Sequence, residues 1–258
     1  MKTDDILEVL KEAVRAACMG EERVALAFSG GLDSSVIAAL ASDFVSVVPY
    51  TVGYPSSQDL VNARTASGAL GLPMQPIHLD DLLLIREARA LLKRFPDLSP
   101  VTLSFELPLW ILLQRCQEGL VLAGQGADEL FGGYARYVSL EPADLQKNLE
   151  RDLTILLNDT IPRETEMARL HDKELRLPYC HPSVIAAALS LPVELKGGPR
   201  RKEALRRVAE RLGLPTELVE RPKKAVQYGS GVMKRLRVLA RREGQGMRDF
   251  LLSLAGAR

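Results

Sequence analysis

The stretch Val24-Ala25-Leu26-Ala27-Phe28-Ser29-Gly30-Gly31-Leu32-Asp33-Ser34-Ser35 decides how the chain is read. The apolar run Val24 to Phe28 is too short for a buried helix and fits a strand covered on both faces. Two glycines then permit a tight turn, and a helical pattern runs from Asp33 to about Ser42. Strand, glycine turn and helix open an α/β unit. Ligands of open α/β sheets bind at the carboxyl ends of strands, which is where this loop lies. Its serine hydroxyls and the free N–H groups of the helix start suit a phosphate or pyrophosphate. The loop is not a P-loop, because G-x-x-x-x-G-K-[ST] is absent, and it does not fit G-x-G-x-x-G. Asp33 would repel phosphate unless Mg²⁺ lay between them, and that ion takes one or two carboxylates together with phosphate oxygens. The plain alternative is a glycine turn with serine and aspartate caps on a helix.

The unit recurs outward from this point. Residues 4–18 place Ile6, Leu7, Leu10, Val14 and Ala17 at helical spacing. Val45–Val52 and Gln75–Leu79 read as strands, and Gln58–Leu70 and Asp80–Arg94 as helices. A helix over Thr102–Gln117 is expected despite Pro108, and Leu120–Ala123 reads as a further strand. Four strands separated by helices predict an α/β fold with a mostly parallel sheet and helices on both faces. Residues 142–258 show helical patterns broken by Pro162, Pro178, Pro182, Pro192, Pro199, Pro215 and Pro222, and no strand run. The expectation is a single domain over 1–258, with an α/β core over about 1–140 and a helical part over about 141–258 packed on it.

The second loop, Gly124-Gln125-Gly126-Ala127-Asp128-Glu129-Leu130-Phe131-Gly132-Gly133-Tyr134, also follows a strand. If the two strands are neighbours, Asp33 and Asp128 flank one metal ion. A solvated turn is the plain reading of Asp128-Glu129, but four glycines cost chain entropy and argue against a casual loop.

Composition narrows the class. The 258 residues carry 34 Lys+Arg against 33 Asp+Glu and are 47% apolar, which excludes disorder, collagen-like rods and charged tails. No apolar run reaches the roughly 18 residues of a membrane span, and MKTDDILEVL lacks the basic end of a signal peptide. A cytoplasmic protein with no membrane partner is expected. Cys18, Cys116 and Cys180 are odd in number and form no C-x-x-C pair, so each is read as a small buried apolar residue.

S-G-G-L-D-S-S resembles the PP-loop of the ATP pyrophosphatases. L-A-G-Q-G-A-D-E-L-F-G-G-Y resembles the second signature of the synthetase domain of asparagine synthetases. Glu174-Leu175-Arg176-Leu177-Pro178-Tyr179 is similar to that family's E-x-R-x-P-[FY] stretch. Arg221-Pro222-Lys223, ahead of Gly229–Gly231, is similar to its R-x-K segment. The four motifs occur in the family's order over roughly residues 23 to 235.

The resemblance implies the PP-loop (adenine nucleotide alpha hydrolase-like) fold and an ATP-dependent, amide-forming ligase. In that family a substrate carboxylate attacks the α-phosphate of ATP, and ammonia then displaces AMP from the acyl-adenylate. Aspartate with ammonia is the first guess. Ser29, Gly30, Gly31, Ser34 and Ser35 are implied to cradle pyrophosphate, and Asp33 and Asp128 to hold Mg²⁺. Phe28, Val52, Ala123 and Gly124 fall at the strand-end positions that hold adenosine, and Lys223 is implied to offset charge on the displaced phosphates. Lys224 is its rival, since adjacent lysines leave the register open.

Several residues depart from the family pattern. Gln125 stands where asparagine synthetases have glutamate and the related lactam-forming synthetases have tyrosine, and a glutamine cannot act as a base at neutral pH. Asp159 lies at about the spacing of the family's second acidic residue and is the candidate surviving partner. Arg163 is a weaker candidate for gripping a substrate carboxylate. His181, where the family has aspartate, reads as a packed or surface histidine. The family's glutaminase domain begins with a cysteine after Met1. Here position 2 is Lys2 and the first loop starts at residue 29, so the expected nitrogen source is free ammonia, a separate glutaminase subunit or another amine.

Between Lys196 and Arg242 there are 15 Lys/Arg and 4 Asp/Glu. Solvated helix faces, a positive rim for ATP, or an RNA surface would each produce this excess. Tyr228 is the single aromatic there, so base stacking is not evident and RNA is not the expected partner. The competing readings are a PP-loop enzyme that modifies tRNA and a nucleotide-binding, non-catalytic homologue.

Overall fold

The computed structural model describes residues 3–221 and 229–256. Its centre is a parallel sheet in the order β3-β2-β1-β4-β5. The strands are β1 (Arg23–Ala27), β2 (Ser46–Gly53), β3 (Gln75–His78), β4 (Leu120–Leu122) and β5 (Glu174–Arg176). Helices α1 (Thr3–Cys18), α2 (Leu32–Ala41) and α3 (Gln58–Leu70) precede β1, β2 and β3 in turn, and α4 (Asp81–Arg94) and α5 (Pro100–Arg115) together lead to β4.

The first four strands and five helices match the sequence-based expectation to within two residues at either end. The fifth strand corrects it, because residues 142–258 were expected to hold none. Glu174–Arg176 is three residues long, lies at the sheet edge and is half exposed, so it carries no apolar run to read. Pro108 lies inside α5 without ending it. Burial of Leu103, Leu107, Trp110, Ile111 and Leu113 around the same helix offsets the missing hydrogen bond, which typically costs about 3 kcal/mol.

Alternation along the central strands divides the core. Val24 and Leu26 of β1 and Leu120 and Leu122 of β4 face a cluster built on α1 and α2. Ala25 and Val121 face the opposite cluster, built on α4 and α5. The later helices cover both layers. Helices α9 (Pro182–Leu189) and α10 (Glu203–Arg211) join the first cluster. Helices α8 (Ile161–Arg169), α12 (Val232–Arg242) and α13 (Met247–Ala255) join the second. The remaining helices are α6 (Ala127–Phe131), α7 (Pro142–Ile155) and α11 (Thr216–Val219).

Strand β1 has β2 on one side and β4 on the other. The chain leaves β1 toward one half of the sheet and returns to the other half later, so the order reverses between β1 and β4. Such a reversal opens a crevice at the carboxyl ends of the two strands. Both glycine loops follow these strands and border that crevice. Among the described residues, no helix is long and apolar enough to cross a membrane.

Candidate active site

The first loop turns at Gly30, whose φ is +68°. A Cβ there would stand 2.4–2.5 Å from backbone atoms of Asn62 and Ala63 in α3, so the loop packs against α3 only as glycine. Helix α2 starts at Gly31 with no side-chain cap, leaving its first N–H groups for another acceptor. Ser29 is exposed beside this end, with its hydroxyl 3.5 Å from that of Ser34, and the Ser34 hydroxyl lies 3.3 Å from the Gly31 carbonyl. Ser35 is fully buried, and its hydroxyl has no partner among the described residues. The Phe28 N–H donates to the Tyr50 carbonyl at 2.9 Å, and the Phe28 carbonyl accepts the Thr51 hydroxyl. Val52 and Ala123 are buried at the ends of their strands.

The second loop meets the first at Gly124, whose Cβ position lies 3.5 Å from Asp33 Cβ. Beyond this contact the two loop carboxylates share a cation from a third segment. Lys202 Nζ lies 2.5 and 2.6 Å from the two oxygens of Asp33 and 2.7 Å from Oδ1 of Asp128. Lys202 is 3% exposed and stands just ahead of α10 with φ +56°. A Cβ on Gly133 would fall 1.7 Å from Asp128 Oδ1 and 2.1 Å from Lys202 Cε. The close approach of ammonium to carboxylate therefore depends on a missing side chain.

Two further sequence motifs support this point. The Tyr179 hydroxyl donates to the Asp33 carbonyl at 3.0 Å from a fully buried ring. Arg221 Nη1 donates to the Gly30 carbonyl at 2.7 Å and to the Asn62 carbonyl at 3.2 Å, which ties the R-x-K segment to the first loop. After the undescribed residues, the Ser230 carbonyl accepts the Tyr54 N–H at 3.1 Å, at the end of β2. Lys223 and Lys224 lie outside the described residues.

Behind the second loop is a buried polar cluster. Gln125 Nε2 donates to Glu164 Oε1 at 3.0 Å. Glu106 of α5 is paired with Arg163 of α8 at 2.7 Å. Glu106 and Glu164 are both buried, and each keeps one oxygen without a hydrogen-bond partner among the described residues. Burial, and then the negative charge of Glu106, push the Glu164 carboxyl well above the usual carboxylate range. Burial also raises Glu106, against the pull of Arg163. The Glu129 carboxyl is raised by burial and by Asp128 beside it.

These contacts sort the sequence candidates. Asp33, Asp128, Gly124, Ser29, Gly30, Gly31 and Ser34 come together around the two strand ends. Asp159 sits exposed in a π-helical turn, Leu156–Thr160, and the carboxylate that meets Gln125 is Glu164, five residues later. Arg163 is engaged with Glu106. His181 is a surface residue whose ring accepts the Ser183 N–H at the start of α9. Cys18 and Cys116 are buried, whereas Cys180 is half-buried and donates its thiol to the Gln125 carbonyl at 3.5 Å.

Lys202 and Glu164 were both missed from sequence. Lys202 stands in the run Pro199-Arg200-Arg201-Lys202-Glu203, where nothing separates it from surface charge. Its neighbours are tied down as well. Arg200 pairs with Glu203, Glu210 and Glu220. Buried Arg206 donates to the carbonyls of Arg200 and Arg201 at 2.8 and 2.9 Å. Part of the basic excess therefore has internal partners.

The asparagine synthase family profile matches residues 5–141 and 138–249. The chain belongs to the asparagine synthase family. A Methanocaldococcus jannaschii protein that bears the name "Putative asparagine synthetase [glutamine-hydrolyzing] 1" is 31% identical over 91% of this chain and 51% of its own length. The corresponding enzyme of Gallus gallus is 26% identical over 90% of this chain and 44% of its own length. Asparagine synthetase B of Escherichia coli is 24% identical over 89% and 45%. The chain thus spans about half the length of the curated relatives it matches.

Proposed function

We propose that the chain activates a small-molecule carboxylate with ATP and transfers the acyl group to ammonia. The carboxylate oxygen bonds to the α-phosphorus, the bond to the bridging oxygen breaks, and pyrophosphate leaves. Nitrogen then bonds to the acyl carbon, the carbon–oxygen bond to AMP breaks, and the nitrogen sheds a proton to water. Aspartate is the first acid to test. The nitrogen comes from free ammonia or from a separate glutaminase.

One observation carries this reading: Asp33 and Asp128, 95 residues apart, converge on one cation at the carboxyl ends of adjacent strands. Two hard carboxylates at a single point, beside uncapped helix N–H groups, suit Mg²⁺ bound with phosphate oxygens. When bound, that ion would draw charge from the phosphate oxygens during transfer. Ser29, Gly30, Gly31, Ser34 and Ser35 then serve the pyrophosphate, with the buried Ser35 as the inner wall. Phe28, Val52, Ala123 and Gly124 border the adenosine. The Lys202 ammonium supplies positive charge at the loop junction, and Lys223 offsets charge on the leaving phosphates. Phosphoryl-type transfer is mostly positioning and electrostatics, so fixed cations of this kind are what the step needs.

The test is pyrophosphate release from ATP with Mg²⁺ and ammonia across a panel of amino and keto acids. Turnover is expected with one acid, with AMP formed in equal amount. Asp33→Asn should lower it by at least about 100-fold, the scale of losing one electrostatic group at such a site. Turnover with another acid but not aspartate would retain the reaction class and remove asparagine synthesis. No AMP with any acid would overturn the reading.

A further inference from the structure

We propose that Lys202 is a tethered competitor for the metal ion: its ammonium holds the point between Asp33 and Asp128, so a divalent cation enters only together with nucleotide phosphates that take the ammonium over. The inference deepens the reading of the crevice as a magnesium–nucleotide site and rests on it. It gives Lys202 a part in the order of loading, separate from the charge it supplies during transfer.

Three contacts define the point. Nζ lies 2.5 and 2.6 Å from the two oxygens of Asp33 and 2.7 Å from Oδ1 of Asp128. Mg²⁺ takes the same hard anionic oxygens, at about 2.0–2.1 Å. Ammonium and ion cannot share those oxygens, because two positive centres would then stand within one coordination shell. The side chains of Asp33 and Asp128 keep 18% and 14% of their surface exposed, against 4% for Lys202. The acids can therefore be reached from solvent while the lysine lies on their inner side. Two carboxylates and one ammonium leave one net negative charge. An ion entering alone would strand the ammonium beside a divalent cation, whereas an ion entering with phosphate brings the ammonium a new anion.

The main chain that carries Lys202 is fixed, and its side chain is free to turn. Arg201 and Lys202 are successive non-glycine residues with φ of +41° and +56°, a conformation that persists only where the surroundings hold it. Here Arg206 Nε bonds the carbonyls of Arg200 and Arg201 at 2.8 and 2.9 Å. Arg201 Nη1 bonds the Gly133 carbonyl at 3.1 Å, and the Lys202 N–H donates to the Lys196 carbonyl at 3.4 Å. The stem then passes Gly133, where a Cβ would fall 2.1 Å from Lys202 Cε. A lysine stem has four carbons and rotatable donors at its tip, so the ammonium can leave the acids while the turn stays in place. Its new partner is close to hand. Helix α2 starts uncapped at Gly31 with Asp33 in its first turn, so an anion held at that end brings phosphate oxygens beside Asp33.

Mn²⁺ binding, read from the electron paramagnetic resonance of the free ion, tests this without turnover. The parent chain, Lys202→Met and Arg221→Met are titrated with Mn²⁺ alone and with α,β-methylene-ATP, whose α–β bridge does not break. Ion held by the analogue in solution is subtracted. In the parent the analogue should tighten Mn²⁺ binding at least about tenfold, a usual size for coupling between two ligands. Lys202→Met should bind Mn²⁺ alone about tenfold more tightly than the parent and gain correspondingly less from the analogue. Arg221→Met removes a crevice cation that bonds the Gly30 and Asn62 carbonyls, and it should stay within about twofold of the parent. Lys202→Met is purified with Mg²⁺ in place of the lost charge and chelated before titration, and Lys202→Gln replaces it if the chelated protein unfolds. A lysine variant that binds Mn²⁺ alone no better than the parent, an equal gain in Arg221→Met, or a parent that binds the ion as tightly alone as with the analogue would each overturn the inference while the reading of the crevice stands. No Mn²⁺ bound by the parent with the analogue present would overturn that reading and the inference with it.

Discussion

Among the described residues Asp33 and Asp128 share Lys202, whereas Arg163 is bonded to Glu106 and not to Glu164. Among the described residues each place brings two carboxylates to one positive group, and the two differ in how that group is shaped. An ammonium is a compact charge with three rotatable donors, so it can stand between two acids. A guanidinium is a planar fork that matches a single carboxylate. At the crevice the outcome is two anionic oxygens groups held ready at one point. Behind it the outcome is a buried acid whose carboxyl is pushed well above the usual carboxylate range. The chain thus makes one pair suitable for a cation and phosphate, and the other for a neutral hydrogen-bonded partner.

The largest effect is expected on breaking the shared pair. Lys202→Met takes away the ammonium that two partly buried carboxylates share, which should cost about 3–5 kcal/mol in urea unfolding. Lys202→Arg should recover little of this, since the fork cannot serve both acids at once. Added Mg²⁺ should restore part of the loss in Lys202→Met, visible as a rise in unfolding midpoint. A variant as stable as the parent without Mg²⁺ would show that the lysine does not hold the loops together.

Arg163→Met should cost less, about 2–3 kcal/mol at neutral pH, because Glu106 can take up a proton instead of standing ionised and alone. The loss should shrink in acid, where that proton comes without cost. An equal loss at all pH values would contradict the assignment of Arg163 as the counter-ion of Glu106.

The smallest effect concerns Glu164. Its folded carboxyl titrates above the ordinary value of 4.5, so the native state keeps a proton that the unfolded chain releases. Its contribution to stability is complete below that value and is lost as pH rises toward the folded pKa. Glu164→Gln removes this dependence. Its thermal midpoint should therefore gain on the parent as pH rises, reaching an advantage of about 1 kcal/mol on the alkaline side. A difference that stays flat with pH would show that Glu164 is ionised in the folded protein.

Much of the fold was readable because buried parallel strands carry unbroken apolar runs. Val24–Ala27 and Leu120–Leu122 are short, but glycine loops end both and so set their limits. The edge strand Glu174–Arg176 has polar ends and needs only one neighbour, so nothing in its composition marked it. The glycine loops and both aspartates were legible because their spacing carries the chemistry. Their counter-ion was not, because Lys202 reaches them by a left-handed turn inside a basic run. Glu164 left a trace that spacing could have caught: it shares the buried face of α8 with Met167 and Ala168. An acid on an apolar helical stripe is a stronger signal for a site partner than the distance along the chain that points to Asp159.

The outer strand β3 has a consequence for how other molecules can approach. Leu79 donates its N–H inward to the Gly53 carbonyl, and alternation puts Ile77 on the same side and Pro76 on the other. Proline has no N–H, so the outward rim of β3 lacks a donor where an added strand would need one. At the opposite rim β5 is three residues long, and its Arg176 is drawn onto the Ala17 and Met19 carbonyls at the end of α1. Growth of the sheet by strand addition is thereby discouraged at both margins, and a companion protein delivering nitrogen would have to dock on helices or on the loops around the crevice.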